Sequence, residues 1–312
     1  MGTQTTATVK TQAGVRRWLL LALLAHTGWG AYPVLARYLQ TVAGLPSMSL
    51  LATSMTVAAA FTALTTRPRW ALLRRQRLMW ALVLVVMTRA VTNLLAARFT
   101  HAIYVQLITL LTPWTVALLS MAVFREAAPP RTGRTMLLGT VGAGLILSGR
   151  VANAQGVQAF TPQDALGLAL AGVSMVSLAV YMLLVRRSRA HQWRGEEVFL
   201  VQSLGVMAVG WAATWLLGED WRPWLHLSLQ DGLVFLAFAG LVLYGANRVQ
   251  IAALQHVGAR AVSSLLPWRM VVVLVIGLAL LGEHLTATRQ AVGVALVMAA
   301  LGWYLGLADH AG

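Results

Sequence analysis

Along its whole length this chain alternates apolar runs of about 20 residues, the length that spans a bilayer as a helix, with short polar stretches rich in arginine. The pattern predicts ten helices, near 18–37, 46–65, 78–98, 101–123, 135–150, 164–185, 197–217, 231–252, 260–281 and 288–307. The longest connections, at 66–77, 151–163, 186–196 and 218–230, leave no room for a soluble domain. The expected organisation is a single all-α integral membrane domain. Residues 1–17 form an N-terminal tail, 18–150 a first set of five helices, 151–163 a linker, 164–307 a second set of five and 308–312 a C-terminal tail.

Composition strengthens this reading. Hydrophobic residues make up 58% of the chain and charged residues 11%, with a mean hydropathy of +0.71, outside the soluble range. A net charge of +15 could suggest nucleic acid as partner, but the arginines sit at the ends of apolar runs, where they report topology instead. With the N-terminus inside, sixteen basic residues fall on the inner side, from Lys10 to Arg260, and five on the outer side: Arg37, Arg98, Arg150, Arg222 and Arg289. That bias predicts a cytoplasmic-membrane protein with both termini in the cytoplasm. Arg16 and Arg17 ahead of WLLLALLA imitate a signal peptide. Nine further spans and no clear small-residue cleavage site argue for a retained first helix. The absence of cysteine excludes disulfides, thiolate metal sites and cysteine nucleophiles. Trp211, Trp215, Trp221 and Trp224 crowd one predicted boundary, as interfacial anchors do.

An internal repeat changes the picture further. Asn93 and Asn247 are 154 residues apart, and the same offset relates Pro113 to Pro267, Trp114 to Trp268 and Gly139 to Gly293. AYPVLAR, ending at Arg37, resembles VYMLLVR, ending at Arg186, at a slightly shorter offset. Each unit then holds five spans, and an odd number forces the second unit to enter the membrane from the opposite side. Two inverted five-helix repeats of this kind point to a transporter built around a central site.

The segments GWGAYP in the first helix, LLTPWTVALLSMAVFRE in the fourth and LLPWRMVVVLVIGLALLGE in the ninth resemble the drug/metabolite transporter superfamily, and within it the EamA-like family. The resemblance runs from about residue 18 to 307. It implies ten helices, cytoplasmic termini, a central cavity between the halves, alternating access and, since the family contains many exporters, export over uptake. The terminal glutamates depart from the repeat: Glu126 lies 13 residues after Pro113, Glu283 16 after Pro267. They are expected to cap helix ends, with no transport chemistry assigned to them.

Charge at depth carries the functional reading. Trp29, Arg89, Pro113 and Arg269 fall near the centres of their spans. An arginine there costs about 2.5–3.5 kcal/mol on insertion scales, and no aspartate or glutamate falls mid-span to pair with it. Arg89 and Arg269 therefore suit a wet cavity that receives an anion, bound through the planar guanidinium fork. The alternative for each is a structural arginine bonded to backbone carbonyls. Trp29, Tyr32, Trp114, Tyr244 and Trp268 could wall a substrate site or simply pack. Asn93 and Asn247 could hold substrate polar groups or bond across helices. Pro113 and Pro267 are expected to kink their helices, as gates or as static bends. Gly28, Gly30 and Pro33 weaken the first helix and admit a close neighbour. His26 could take part in proton coupling, or be a packed histidine. Arg248 could snorkel, and Arg37 and Arg98 are read as interfacial. Gly302 and Gly306, with Gly139, Gly142 and Gly144, could pack within a monomer or in a homodimer.

The expected function is a secondary transporter, favouring export, of a small anionic or zwitterionic metabolite such as an amino acid or carboxylate. The alternative is an exporter of cationic or multidrug amphipathic compounds. No GxxxxGK[ST] loop, HExxH or GxSxG motif is present, and Ser263 and Ser264 have no evident base, so neither ATP drive nor an embedded enzyme is expected. No cofactor or metal is called for; the partners are substrate and lipid.

Overall fold

A computed structural model describes residues 3–66, 77–125, 132–153, 156–157, 159–188, 194–253, 262 and 265–309. Arg67, Arg69, Arg74, Arg75, Arg131, Arg189, Arg260, Glu126, Ser263 and Ser264 lie outside the described residues.

The described chain is mostly helix: α1 Thr3–Thr41, α2 Ser47–Thr65, α3 Arg77–Phe99, α4 Ala102–Leu110, α5 Thr112–Phe124, α6 Thr132–Leu147, α7 Pro162–Ser188 and α8 Gly195–Leu217. After a single turn at Arg222–Leu225 come α9 Leu229–Leu236, a π-helical stretch Ala237–Ala246, α10 Trp268–Leu281 and α11 Thr288–Asp309. Seven of these helical runs are long and apolar enough to cross a membrane, with α4 and α5 counted as one and α9 and the π stretch as one. Thr132–Leu147 and Trp268–Leu281 are shorter apolar helices. The segment predicted as an N-terminal tail is already helical from Thr3.

Two features amend the all-α, kinked-helix expectation. First, the linker is partly β: Val151–Asn153 (β1) pairs with Gly156–Val157 (β2) and with His284–Leu285 (β3). This small sheet, in the order β2-β1-β3, ties the linker to the loop after α10. Second, Pro113 breaks its span instead of bending it. Leu111 takes φ −77° and ψ −7° between α4 and α5, and Pro113 sits in the first turn of α5. Proline is well placed there, since the amide it lacks would have no intrahelical partner. Pro267 occupies the N-cap of α10, the matching place in the repeat.

Packing is interleaved. α1 lies on α10 and on the π stretch, whereas α7 lies on α3, α4 and α5. α2 packs on α8, and α6 on α11. Lipid offers no hydrophobic drive between helices, so close approach of small residues matters most. A Cβ on Gly28 would stand 2.7 Å from the Ala246 Cβ, and one on Gly30 2.8 Å from the Val272 Cβ. These two glycines therefore let α1 close on its second-half neighbours. Gly142 and Gly293 do the same for α6 and α11: a Cβ on either would lie 2.8 or 2.6 Å from the other's carbonyl oxygen. Gly144 and Gly302 face open space.

One end of the bundle, carrying the 41–47, 99–102, 148–162, 217–229 and 282–288 connections, is heavily cross-linked. Glu219 accepts from the amides of Met48 (2.9 Å) and Ser49 (2.6 Å) at the start of α2. The Tyr38 hydroxyl donates to Asp231 at 3.0 Å, and Gln290 Nε2 to the Ile146 carbonyl at 3.0 Å. Of the tryptophans read as boundary anchors, Trp215 is exposed. Trp211 and Trp224 instead donate to Thr56 (3.1 Å) and Ser49 (3.0 Å).

Candidate functional site

The helices line a partly open cavity of about 70 Å³. Trp29 and Tyr32 from α1 line it, with Met55 from α2 and Val86, Arg89, Ala90 and Asn93 from α3. Tyr181 from α7 joins them, with Phe199, Gln202, Ser203 and Val206 from α8, and Leu243 and Asn247 at the end of the π stretch. Thus Trp29, Tyr32, Arg89, Asn93 and Asn247, singled out in the sequence, meet around one cavity. The volume falls below the roughly 300–1,000 Å³ of most ligand pockets. It has room for waters or a very compact solute.

Arg89 dominates the site. Its Cζ lies 5.1 Å from the centroid of the Trp29 ring. Among the described residues its guanidinium has no carboxylate partner and donates no hydrogen bond. Asn247 Nδ2 donates to the Leu243 carbonyl at 2.6 Å. A carbonyl can only accept, so the amide orientation is forced and Oδ1 is the atom left free.

Arg269 is near the cavity but not on its wall. It is buried, its Cζ 5.8 Å from the same Trp29 ring. Its Nε donates to His26 Nδ1 at 2.7 Å, while His26 Nε2 reaches the Val262 carbonyl at 2.9 Å. The carbonyl requires the proton on Nε2, and the Arg269 N–H requires a lone pair on Nδ1. His26 is thereby held as one neutral tautomer, and Arg269 leans on an uncharged partner.

Three other candidates lie away from the cavity. Trp114 is buried against Gly139, where an added Cβ would fall 2.1 Å from the ring, and sits 6.3 Å from Tyr304. Trp268 is 39% exposed and donates to Thr27 at 2.9 Å. Tyr244 packs on Phe61 at 5.5 Å and its hydroxyl accepts from Arg248 at 2.8 Å. Arg248, expected to snorkel, also binds Glu196 at 2.8 Å and Thr65 at 3.0 Å. That pair is half-exposed and lies at the end opposite the cross-linked one.

The sequence reading passed over Tyr181, Phe199, Gln202 and Ser203. The visible signal was Gln202–Ser203, an adjacent polar pair inside an apolar run. It also underrated Glu283, which is buried, with Oε1 3.0 Å from Arg37 Nε and 3.1 Å from His101 Nδ1. The same oxygen accepts from the Ala102 amide at 3.3 Å. Glu283 does cap a helix, but it is α4, remote in sequence. Arg37 additionally donates to the carbonyls of Ala97, Arg98 and Thr100, so it is not a free interfacial arginine.

Comparison with known proteins agrees with this architecture. Residues 16–148 match the model of the EamA-like transporter family, consistent with the drug/metabolite transporter superfamily. Together with the apolar helices, this marks a multi-pass membrane protein that is similar over residues 16–148 to a family of membrane transporters. A solved chain titled "Crystal structure of protein" has the same fold: TM-score 0.64 at 17% identity, covering 95% of this chain and 98% of that one. No curated protein matches.

Proposed function

We propose that this protein is a secondary transporter, working as an exporter, that carries a small anionic or zwitterionic metabolite through the Arg89 cavity by alternating access. Arg89 carries the reading: a guanidinium in the cavity, set on an indole face, without a carboxylate among the described residues to neutralise it. In a medium where an unpaired charge is costly, an anionic ligand is the missing partner. The aromatic walls Trp29, Tyr32 and Tyr181 would also suit an amphipathic cation. Arg89 opposes that reading by charge.

Inverted repeats are supported by the packing. The first helix of each half lies on the third and fourth spans of the other half, α1 on the π stretch and α10, α7 on α3, α4 and α5. Asn93 and Asn247, matched by the repeat, line one cavity from two sides. Arg89 and Tyr181 sit on one interleaved bundle, Trp29 and Asn247 on the other, so rocking of the bundles would open and close the space between them. With the termini in the cytoplasm, the cross-linked end faces out, and the Arg248–Glu196 pair lies at the inner mouth.

Transport into proteoliposomes tests the reading. A thermal-shift screen of amino acids, carboxylates, amines and phosphorylated metabolites first finds a ligand. Arg89→Leu is expected to abolish its saturable transport, with Arg89→Lys keeping a fraction. Full transport by Arg89→Leu would sink the anion site.

A further inference from the structure

Among the described residues, eight buried side-chain nitrogen or oxygen atoms lack a hydrogen bond of ordinary geometry, and three of them belong to residues that line this one cavity: Trp29 Nε1, Ser203 Oγ and Gln202 Nε2, the last with the Tyr181 hydroxyl as its polar neighbour. Buried polar groups are normally paired, and leaving one unpaired is costly. The contrast with neighbouring helices is direct. Thr53, Ser54, Thr56 and Thr62 on α2 all donate back to carbonyls of their own helix. Ser203, 2% exposed and also mid-helix, does not. Trp211, Trp224 and Trp268 each find an oxygen for the indole N–H, whereas Trp29 does not.

Two of these three atoms can only donate, and the third can donate as readily as accept. Neither indole N–H nor amide nitrogen can receive an ammonium. Both call for an acceptor oxygen on the ligand, beside the carboxylate that Arg89 holds. A cavity of about 70 Å³ keeps the two poles close together.

We propose that Trp29, Gln202 and Ser203 form a second, oxygen-accepting subsite next to Arg89, so that the ligand is a compact acid with a keto or hydroxyl oxygen on the carbon adjoining its carboxylate. The proposal rests on the anion reading of Arg89 and adds the class of acid. Gln202 and Ser203 are its specificity determinants, and the apolar remainder of the ligand lies against Met55, Phe199 and Leu243.

Thermal shift and calorimetric titration of the purified full-length chain with butanoate, 2-oxobutanoate and 2-hydroxybutanoate provide the test. The unmodified chain should bind the two oxygenated acids at least about tenfold more tightly than butanoate, since a site built to donate hydrogen bonds rejects an analogue lacking the acceptor. Gln202→Leu and Ser203→Ala should each shrink that ratio. Arg89→Leu should weaken all three acids together. Equal affinities in the unmodified chain, or no binding of any of the three while other anions bind, would overturn the second subsite and mark the three atoms as water sites only. Retained binding of all three by Arg89→Leu would overturn the anion reading itself. The comparison of ligands on the unmodified chain needs no variant to fold.

Discussion

Neutralising Glu283 tests how the cross-linked end is held shut. Glu283→Gln keeps the side-chain volume and an acceptor for the Ala102 amide, but removes the charge that Arg37 and His101 face at 3.0 and 3.1 Å. Breaking a buried ion pair by removing one partner costs about 3–5 kcal/mol. Arg37 retains the carbonyls of Ala97, Arg98 and Thr100, so a loss of about 2–3 kcal/mol from the closed state is a fair expectation. If these contacts exist only while this end is closed, that loss shifts the open-to-closed ratio by roughly 30- to 160-fold. The chain has no cysteine, so a single Phe238→Cys reports opening without background. Phe238 is 1% exposed and packs on Tyr32 at 5.3 Å. In sealed vesicles, its labelling by an impermeant maleimide from the Glu283 side should accelerate strongly in the Glu283→Gln background. Labelling from the opposite side should not. An unchanged rate in a folded, monodisperse variant would refute the latch.

The remaining predictions follow from packing and exposure. Gly293→Leu should force α6 and α11 apart, because even a Cβ meets the Gly142 carbonyl oxygen at 2.6 Å. A loss of about 1–3 kcal/mol or more would appear as a lower melting temperature in detergent. Arg269→Leu should cost stability more than ligand affinity, since Arg269 is held by His26 off the cavity wall. A ligand titration set beside a melting curve separates the two. Glu196→Gln breaks a half-exposed pair with Arg248 and should change stability by less than about 1 kcal/mol. Its melting curve should overlay that of the unmodified chain.

Hydropathy located most of the described helices to within a few residues, because spans of about 20 apolar residues admit few alternatives, but the first helix runs from Thr3 and the segment expected from 260 has its helix from Trp268. Depth within a span singled out Arg89 and Trp29, since a charge is legible wherever it is expensive. Depth does not give azimuth, however. Trp114 and Trp268 share the span and the repeat position expected of wall residues, yet one faces Gly139 and the other Thr27. Gln202 and Ser203 were passed over because polar residues in an apolar run are usually self-satisfied, and only the three-dimensional neighbourhood reveals that they are not. Glu283 stands in a loop by sequence but is buried by the convergence of α1, α4 and the turn after α10. No local pattern encodes that convergence.

The exchange of first helices between the halves has a consequence for how the molecule came apart or together. The covalent seam, near 151–163, lies in one place, and the mechanical seam, between the bundles that share α1 and α7, lies in another. A half-length chain cut at the covalent seam would carry a first helix most of whose packing face belongs to the missing half. Such a fragment finds that face again only on a complementary fragment, so the two pieces need co-expression to fold. Heredity drew one boundary through this protein, and mechanics another.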